Sequence, residues 1–135
     1  MSKKNLYSDI YFPPAPVLMI RCAGPEERPP SDLIVAIIDT GSDGSLVPMT
    51  ILESIEAIPV GDAVLHGILG ETRVVDLFEI DLYIDDFVLP GILVASSDVG
   101  EEVILGRNVL NRLVLLLDGI NGETEFFDRK PSVRL

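Results

Sequence analysis

The segment "LIVAIIDTGSDGSLVP", residues Leu33–Pro48, decides how the chain is read. Leu33–Ile38 is a continuous apolar run of strand length, partly β-branched, which predicts a strand buried on both faces. The run leads directly into Asp39, and Thr40, Gly41, Ser42, Asp43 and Gly44 follow. A carboxylate at the end of a buried strand is costly unless it is hydrogen-bonded or paired. Thr40 and Ser42 bring hydroxyl donors, and Gly41 lets the backbone turn and approach closely. On these residues alone, an ordinary Asp-initiated turn accounts for the segment as well as a catalytic loop does.

Working outward, the chain has 135 residues and 47% hydrophobic content. That is one domain with apolar material for one core. Trp is absent and aromatics are few, so the core is expected to be aliphatic and suited to β-branched strands. The net charge of −12 argues against nucleic acid and anionic membranes as main partners, since both require a basic footprint. Cys22 is the single cysteine, so no intrachain disulfide forms. The N-terminal stretch "MSKKNLYSDIYFPPAP" lacks a continuous apolar segment, and no run is long enough to span a bilayer. The expected setting is cytoplasmic and reducing.

Residues 1–14 read as a polar N-terminal arm, 15–128 as the folded domain and 129–135 as a loose tail. Val17–Cys22 is a short strand candidate, and residues 23–32 form a Pro- and Gly-rich loop. Residues 48–58 are expected to carry a short helix. "LHGILGE", Leu65–Glu71, fits the tip of an exposed hairpin, with His66 as a loop residue. Thr72 onward approximates alternation to a turn at Asp85-Asp86, then resumes as "FVLPGILVA". "SSDVGEE" reads as a loop, "VILG" as a short strand, and "RNVLNRL" as about two turns of helix. "VLLLDGINGETEFFD" reads as a hairpin. Strands dominate, with one or two short helices and no βαβ alternation, so the class is all-β.

Asp39-Thr40-Gly41-Ser42 after an apolar strand, followed by "SLVP", resembles the active-site loop of aspartic proteases. That resemblance predicts a downstream apolar-apolar-Gly element opening a short helix, which Ile104, Leu105 and Gly106 supply. Arg107-Asn108 after that glycine looks like the retroviral-type branch, the retropepsins. The resemblance covers about residues 16–118. It implies a retropepsin-like acid protease fold, a closed barrel-like single lobe. With one Asp-Thr-Gly and a chain too short for two lobes, it implies an active symmetric homodimer, Asp39 from each copy meeting at a two-fold axis.

The implied activity is an aspartic endopeptidase acting on a protein or peptide substrate, with neither cofactor nor metal. Asp39, Thr40 and Gly41 are the implied catalytic residues. Ser42 and Asp43 are assigned beside the substrate, together with Gly67, Ile68, Leu69 and Gly70 as the flap. Ile104, Leu105, Gly106 and Arg107 are the structural support, with Arg107 expected to ion-pair with Asp43. A Ser42 hydroxyl donating to the Asp39 carboxylate, with a shared proton, sets the expectation of an acidic optimum, about 4–6. Retroviral relatives interleave their termini in a sheet, and here the hairpin 113–127 is expected to contribute to the dimer. The alternative is a catalytically silent dimeric module that binds peptides or scaffolds a partner on the same fold.

Overall fold

The computed structural model describes residues 2–24, 30–97 and 100–132. In chain order these form β1 (Ser2–Leu6), β2 (Val17–Ala23), β3 (Ile34–Ile38), β4 (Ser45–Pro48), α1 (Met49–Ser54), β5 (Pro59–His66), β6 (Thr72–Ile84) and β7 (Phe87–Ser97). β8 (Val103–Leu105), α2 (Arg107–Leu110), β9 (Val114–Asp118) and β10 (Glu123–Phe127) complete it. The all-β class with two short helices is the one the sequence predicts.

Seven strands follow the order β2-β3-β8-β4-β7-β6-β5, and β2 also pairs with β6 through Arg21↔Tyr83, Cys22↔Leu82 and Ala23↔Asp81. That second pairing closes six strands into a barrel, which removes their free edges. β5 stays outside the ring, and among the described residues its strand partner is β6. β3–β8 and β4–β7 are parallel, and the other pairings are antiparallel.

Period-two alternation builds the barrel interior. Along β6, Phe78, Ile80, Leu82 and Ile84 point inward, separated by Glu79, Asp81 and Tyr83. Leu18, Ile20 and Cys22 do the same on β2, and Ile92 and Val94 on β7. Each such aliphatic side chain contributes roughly 1.5–3 kcal/mol on full burial. β3 departs from the expectation of burial on both faces. Ala36 and Ile38 are buried, whereas Leu33, which precedes the strand, and Val35 remain about half exposed. A barrel wall has one core face, so an unbroken apolar run does not by itself mean two.

α1 is the short helix expected within residues 48–58, and α2 is shorter than the two turns expected of "RNVLNRL". α1 stops at Ser54, and Glu56 takes a positive φ of 53° directly after its cap. α2 is four residues, Arg107–Leu110. The three-stranded sheet β1-β10-β9 lies beside the barrel. The 9–10 hairpin matches the sequence reading, and its turn is held by Asn121, whose N–H and Nδ2 both donate to Asp118. β1 is a correction to the arm of residues 1–14: Ser2–Leu6 pair residue by residue with Glu123–Phe127. Several contacts dock this sheet on the barrel, among them Lys3 Nζ to Asp85 Oδ1 at 2.8 Å. The Met19 N–H donates to Asn5 Oδ1 at 3.2 Å, and Phe126, fully buried, stacks at a tilt on Phe87 with centroids 5.1 Å apart. Residues 25–29 of the expected loop, 98–99 of "SSDVGEE" and 133–135 of the tail lie outside the described residues. No helix among the described residues is long and apolar enough to cross a membrane.

Candidate active site

β3 delivers Asp39. Its neighbour on the ring is β8, and the ladder between them continues one step past the strand, where the Asp39 N–H donates to the Leu105 carbonyl at 3.0 Å. The carboxylate is half-buried, and its Oδ1 accepts from the Gly41 N–H at 2.9 Å. The Ser42 N–H closes the turn on the Asp39 carbonyl at 3.2 Å. Asp39, Thr40 and Gly41 therefore stand together at the end of a barrel-wall strand that buries one face.

The segment from Gly106 to Asn108 clasps this loop from below. The Arg107 N–H donates to the Ser42 carbonyl at 2.8 Å, and the Asn108 N–H to the Asp43 carbonyl at 3.3 Å. Gly106 is required by proximity: a Cβ there would overlap the Gly44 carbonyl and sit 2.8 Å from the Ser42 oxygen. The Arg107 Nη1 donates to the Thr40 carbonyl at 2.7 Å. This corrects the expected Asp43–Arg107 ion pair, which is absent from the ion pairs of the described residues. The guanidinium finds its acceptor in the loop backbone instead.

Ser42 is also corrected. Its hydroxyl donates to the Gly44 carbonyl at 2.6 Å, so it tightens the loop and does not donate to the Asp39 carboxylate. That removes one of the two supports for the acidic optimum. The residues that sequence reasoning missed are Ser45 and Asn108. The Gly106 N–H donates to Ser45 Oγ at 2.9 Å, and Ser45 Oγ donates to Asn108 Oδ1 at 2.7 Å. Asn108 Nδ2 then donates to the Leu93 carbonyl of β7 at 2.9 Å. Ser45 is buried, and this relay ties β4, β7 and the start of α2 to one point. The signal was a polar residue opening the apolar "SLVP" strand, paired in space with the asparagine after Gly106-Arg107.

A cleft of about 810 Å³ opens over Asp39. Residues 41–46 form its floor with Asp39, and Arg107 and Asn108 close one side. Leu77, Leu93 and Ala95 form an apolar wall, and β5 roofs it through Ala63, Val64, Leu65 and His66 with Ile68 beyond. Ser42, Asp43 and Ile68 thus line the cleft. Gly67, Leu69 and Gly70 shape the hairpin tip and do not line it. The tip closes by Gly67 N–H to Glu71 O at 2.8 Å and Gly70 N–H to Gly67 O at 3.1 Å, with Gly70 at a φ of +85°. His66 ends β5 opposite Thr72, a strand position where a loop was expected. No cluster of three or more His, Cys, Asp or Glu side chains suited to a metal ion occurs among the described residues.

A closed barrel with Asp-Thr-Gly at one strand end and a glycine-hinged hairpin above it is the fold of the retropepsin-like aspartic proteases. Solved structures place the chain in that fold class. It is similar to a retropepsin-like aspartic protease from Rickettsia conorii, at 8% identity over 93% of this chain and 91% of that one, with a TM-score of 0.59. It is also similar to the EIAV protease complexed with the inhibitor HBY-793, at 16% identity over 72% of this chain and 86% of that one, with a TM-score of 0.54. The foamy viral protease-reverse transcriptase matches at 18% identity over 71% of this chain and 12% of that one, with a TM-score of 0.52. No sequence-family profile matches the chain, and no curated protein matches it by sequence.

Proposed function

We propose that the chain is an aspartic endopeptidase that works as a symmetric homodimer. One observation carries the reading: a single half-buried Asp39, its carboxylate fixed by the Gly41 N–H, lies on the floor of a cleft roofed by a hairpin. The likeness of fold supports it. One carboxylate is half of what the chemistry needs, and the chain holds one Asp-Thr-Gly.

Two Asp39 side chains a few ångströms apart share one proton, because like charges so close do not both ionise easily. The ionised partner takes a proton from a water molecule whose oxygen attacks the peptide carbonyl carbon. The protonated partner donates to the carbonyl oxygen as it gains charge. The tetrahedral intermediate then collapses: the C–N bond breaks, the nitrogen leaves protonated as an amine, and a carboxyl product remains. No acyl-enzyme forms. The pair titrates as a unit. The Thr40 residues bridge the two loops, and the Gly41 carbonyls accept from the substrate backbone. An extended peptide under β5 is held by main-chain hydrogen bonds, with apolar side chains against Leu77 and Leu93.

The test is cleavage of a peptide library between pH 3 and 8 by wild type and by Asp39→Asn, with and without a statine-type inhibitor. Wild type is expected to cleave and to be inhibited, and Asp39→Asn to lose at least ~10³-fold in rate. Cleavage that survives in Asp39→Asn rejects the mechanism. A wild-type dimer that binds peptides without cutting them identifies a peptide-binding module.

A further inference from the structure

Among the described residues that line the cleft, Asp39, Asp43, His66 and Arg107 carry or can carry charge. Asp39 belongs to the proposed chemistry, Arg107 is engaged on the Thr40 carbonyl, and His66 ends β5 at the roof. Asp43 has no such task. It is exposed, and its side chain makes no hydrogen bond or ion pair among the described residues. The backbone beneath it is nonetheless fixed. The Asn108 N–H donates to the Asp43 carbonyl at 3.3 Å, the Arg107 N–H to the Ser42 carbonyl at 2.8 Å, and the Ser42 hydroxyl to the Gly44 carbonyl at 2.6 Å. An exposed carboxylate is ordinarily a solubility device on a free surface. Asp43 instead stands on a clamped loop inside the cleft, four positions after Asp39.

We propose that Asp43 is a specificity-determining residue: its carboxylate receives a lysine or arginine side chain of the bound peptide, so the substrates are basic peptides. This rests on the reading of the cleft as the place where a peptide is cut. Three observations select a cation. First, the carboxylate is an acceptor without a donor, and an ammonium or guanidinium group supplies one. Second, the roof hairpin carries Asp62, Glu71 and Asp76 against Arg73, and Asp62 stands directly opposite Asp76 in the β5–β6 ladder. Like charges so placed cost stability, and they make the roof negative as well as the floor. Third, the net charge of −12 attracts cationic peptides and repels acidic ones. An acidic side chain entering the cleft would meet Arg107, whose guanidinium already holds the Thr40 carbonyl. The clamped loop presents Asp43 ready for contact, so little is lost in ordering it on binding. In the proposed dimer one Asp43 stands on each side of the cleaved bond, and the preference for a basic residue is expected on both sides.

The experiment uses the full-length chain at about pH 6, above the ordinary carboxylate range, with peptide sets that differ only by Lys, Gln or Glu at one position near the cleaved bond. Cleavage is read as kcat/KM, and binding as Kd by calorimetry. Wild type is expected to favour Lys over Gln at least ~5-fold, with Glu last. Asp43→Asn is expected to bring the Lys-to-Gln ratio to about one, and Asp43→Lys to put Glu first. Asp86→Asn removes the same charge from the exposed β6–β7 turn and is expected to keep the wild-type ratio, which separates a local contact from the field of the whole chain. Wild type that cuts the Lys and Gln peptides equally, or prefers Glu, overturns the subsite and leaves the protease reading standing. A preference that survives in Asp43→Asn overturns it too. Where neither Asp43 variant folds, the wild-type ratio and its fall with added salt decide, and a ratio that salt does not lower overturns the subsite. Wild type that cuts nothing yet binds Lys peptides with the same preference supports the subsite and counts against the protease reading. No cleavage and no preference in binding overturns both.

Discussion

Two glycine-rich turns face each other across the cleft, and they are built in opposite ways. The Asp39 loop is held from outside itself. Leu105, Gly106, Arg107 and Asn108, more than sixty positions away in sequence, bond to Asp39, Thr40, Ser42, Asp43 and Ser45. The hairpin tip at residues 67–71 is held by its own two turn hydrogen bonds, and its Ile68 and Leu69 side chains are essentially fully exposed. Both are turns with small residues, yet one is tied to distant strands and the other is closed by its own turn bonds. Rigidity here comes from long-range bonds to a barrel strand, and not from turn composition.

Breaking the floor has the largest expected effect. Gly106→Ala pushes a methyl group into the Gly44 and Ser42 carbonyls. Backbone on both sides leaves little room to yield, and a loss of at least ~3 kcal/mol of stability is expected. A denaturant melt of wild type and variant measures it, and a melt within 1 kcal/mol, as an order-of-magnitude bound, makes the clasp dispensable. Ser45→Ala comes next. It strands the buried Gly106 N–H and the Asn108 carbonyl oxygen, at about 1–3 kcal/mol. The same melt applies, and a neutral result points to a replacement partner for Gly106. The smallest effect is expected at the roof. Ile68→Ala leaves stability within about 0.5 kcal/mol, as exposed substitutions do. It is expected to raise KM about fivefold through ~1 kcal/mol of lost apolar contact. An Ile68→Ala melt lowered as far as that of Ser45→Ala contradicts the contrast between floor and roof.

The same contrast explains what was legible in the sequence. The hairpins read well, because β6 shows local alternation, β7 and β9 are apolar runs of strand length, and turn residues at Asp85-Asp86 and 119–122 close the two hairpins. The strand leading to Asp39 and the Val103–Leu105 strand ending at Gly106 read well, because each is a short apolar run that stops at a glycine or a glycine-containing turn. The partners of Ser42 and Arg107 did not. Each has several acceptors within reach of its side chain, and which one is nearest depends on how α2 meets the loop in three dimensions. Ser45 was hidden for a related reason: its burial is created by β7 and α2, both distant in sequence. β1 escaped notice because "SKKNL" has no apolar alternation of its own. Its strand form is imposed by β10.

That last pairing bears on how the chain is made. Ser2 lies opposite Phe127, so β1 and its partner stand at opposite ends of the described chain. A polypeptide emerging amino end first carries β1 unmatched until β10 has been synthesised. The six barrel strands, all within residues 17–105, are complete in sequence before then, while the 9–10 hairpin forms from near neighbours. Contacts between residues so far apart reward the chain only after a long loop has closed, and they slow folding. On a ribosome, the β1-β10-β9 sheet is therefore the last part of the described molecule to assemble, and removal of β10 leaves β1 without its strand partner.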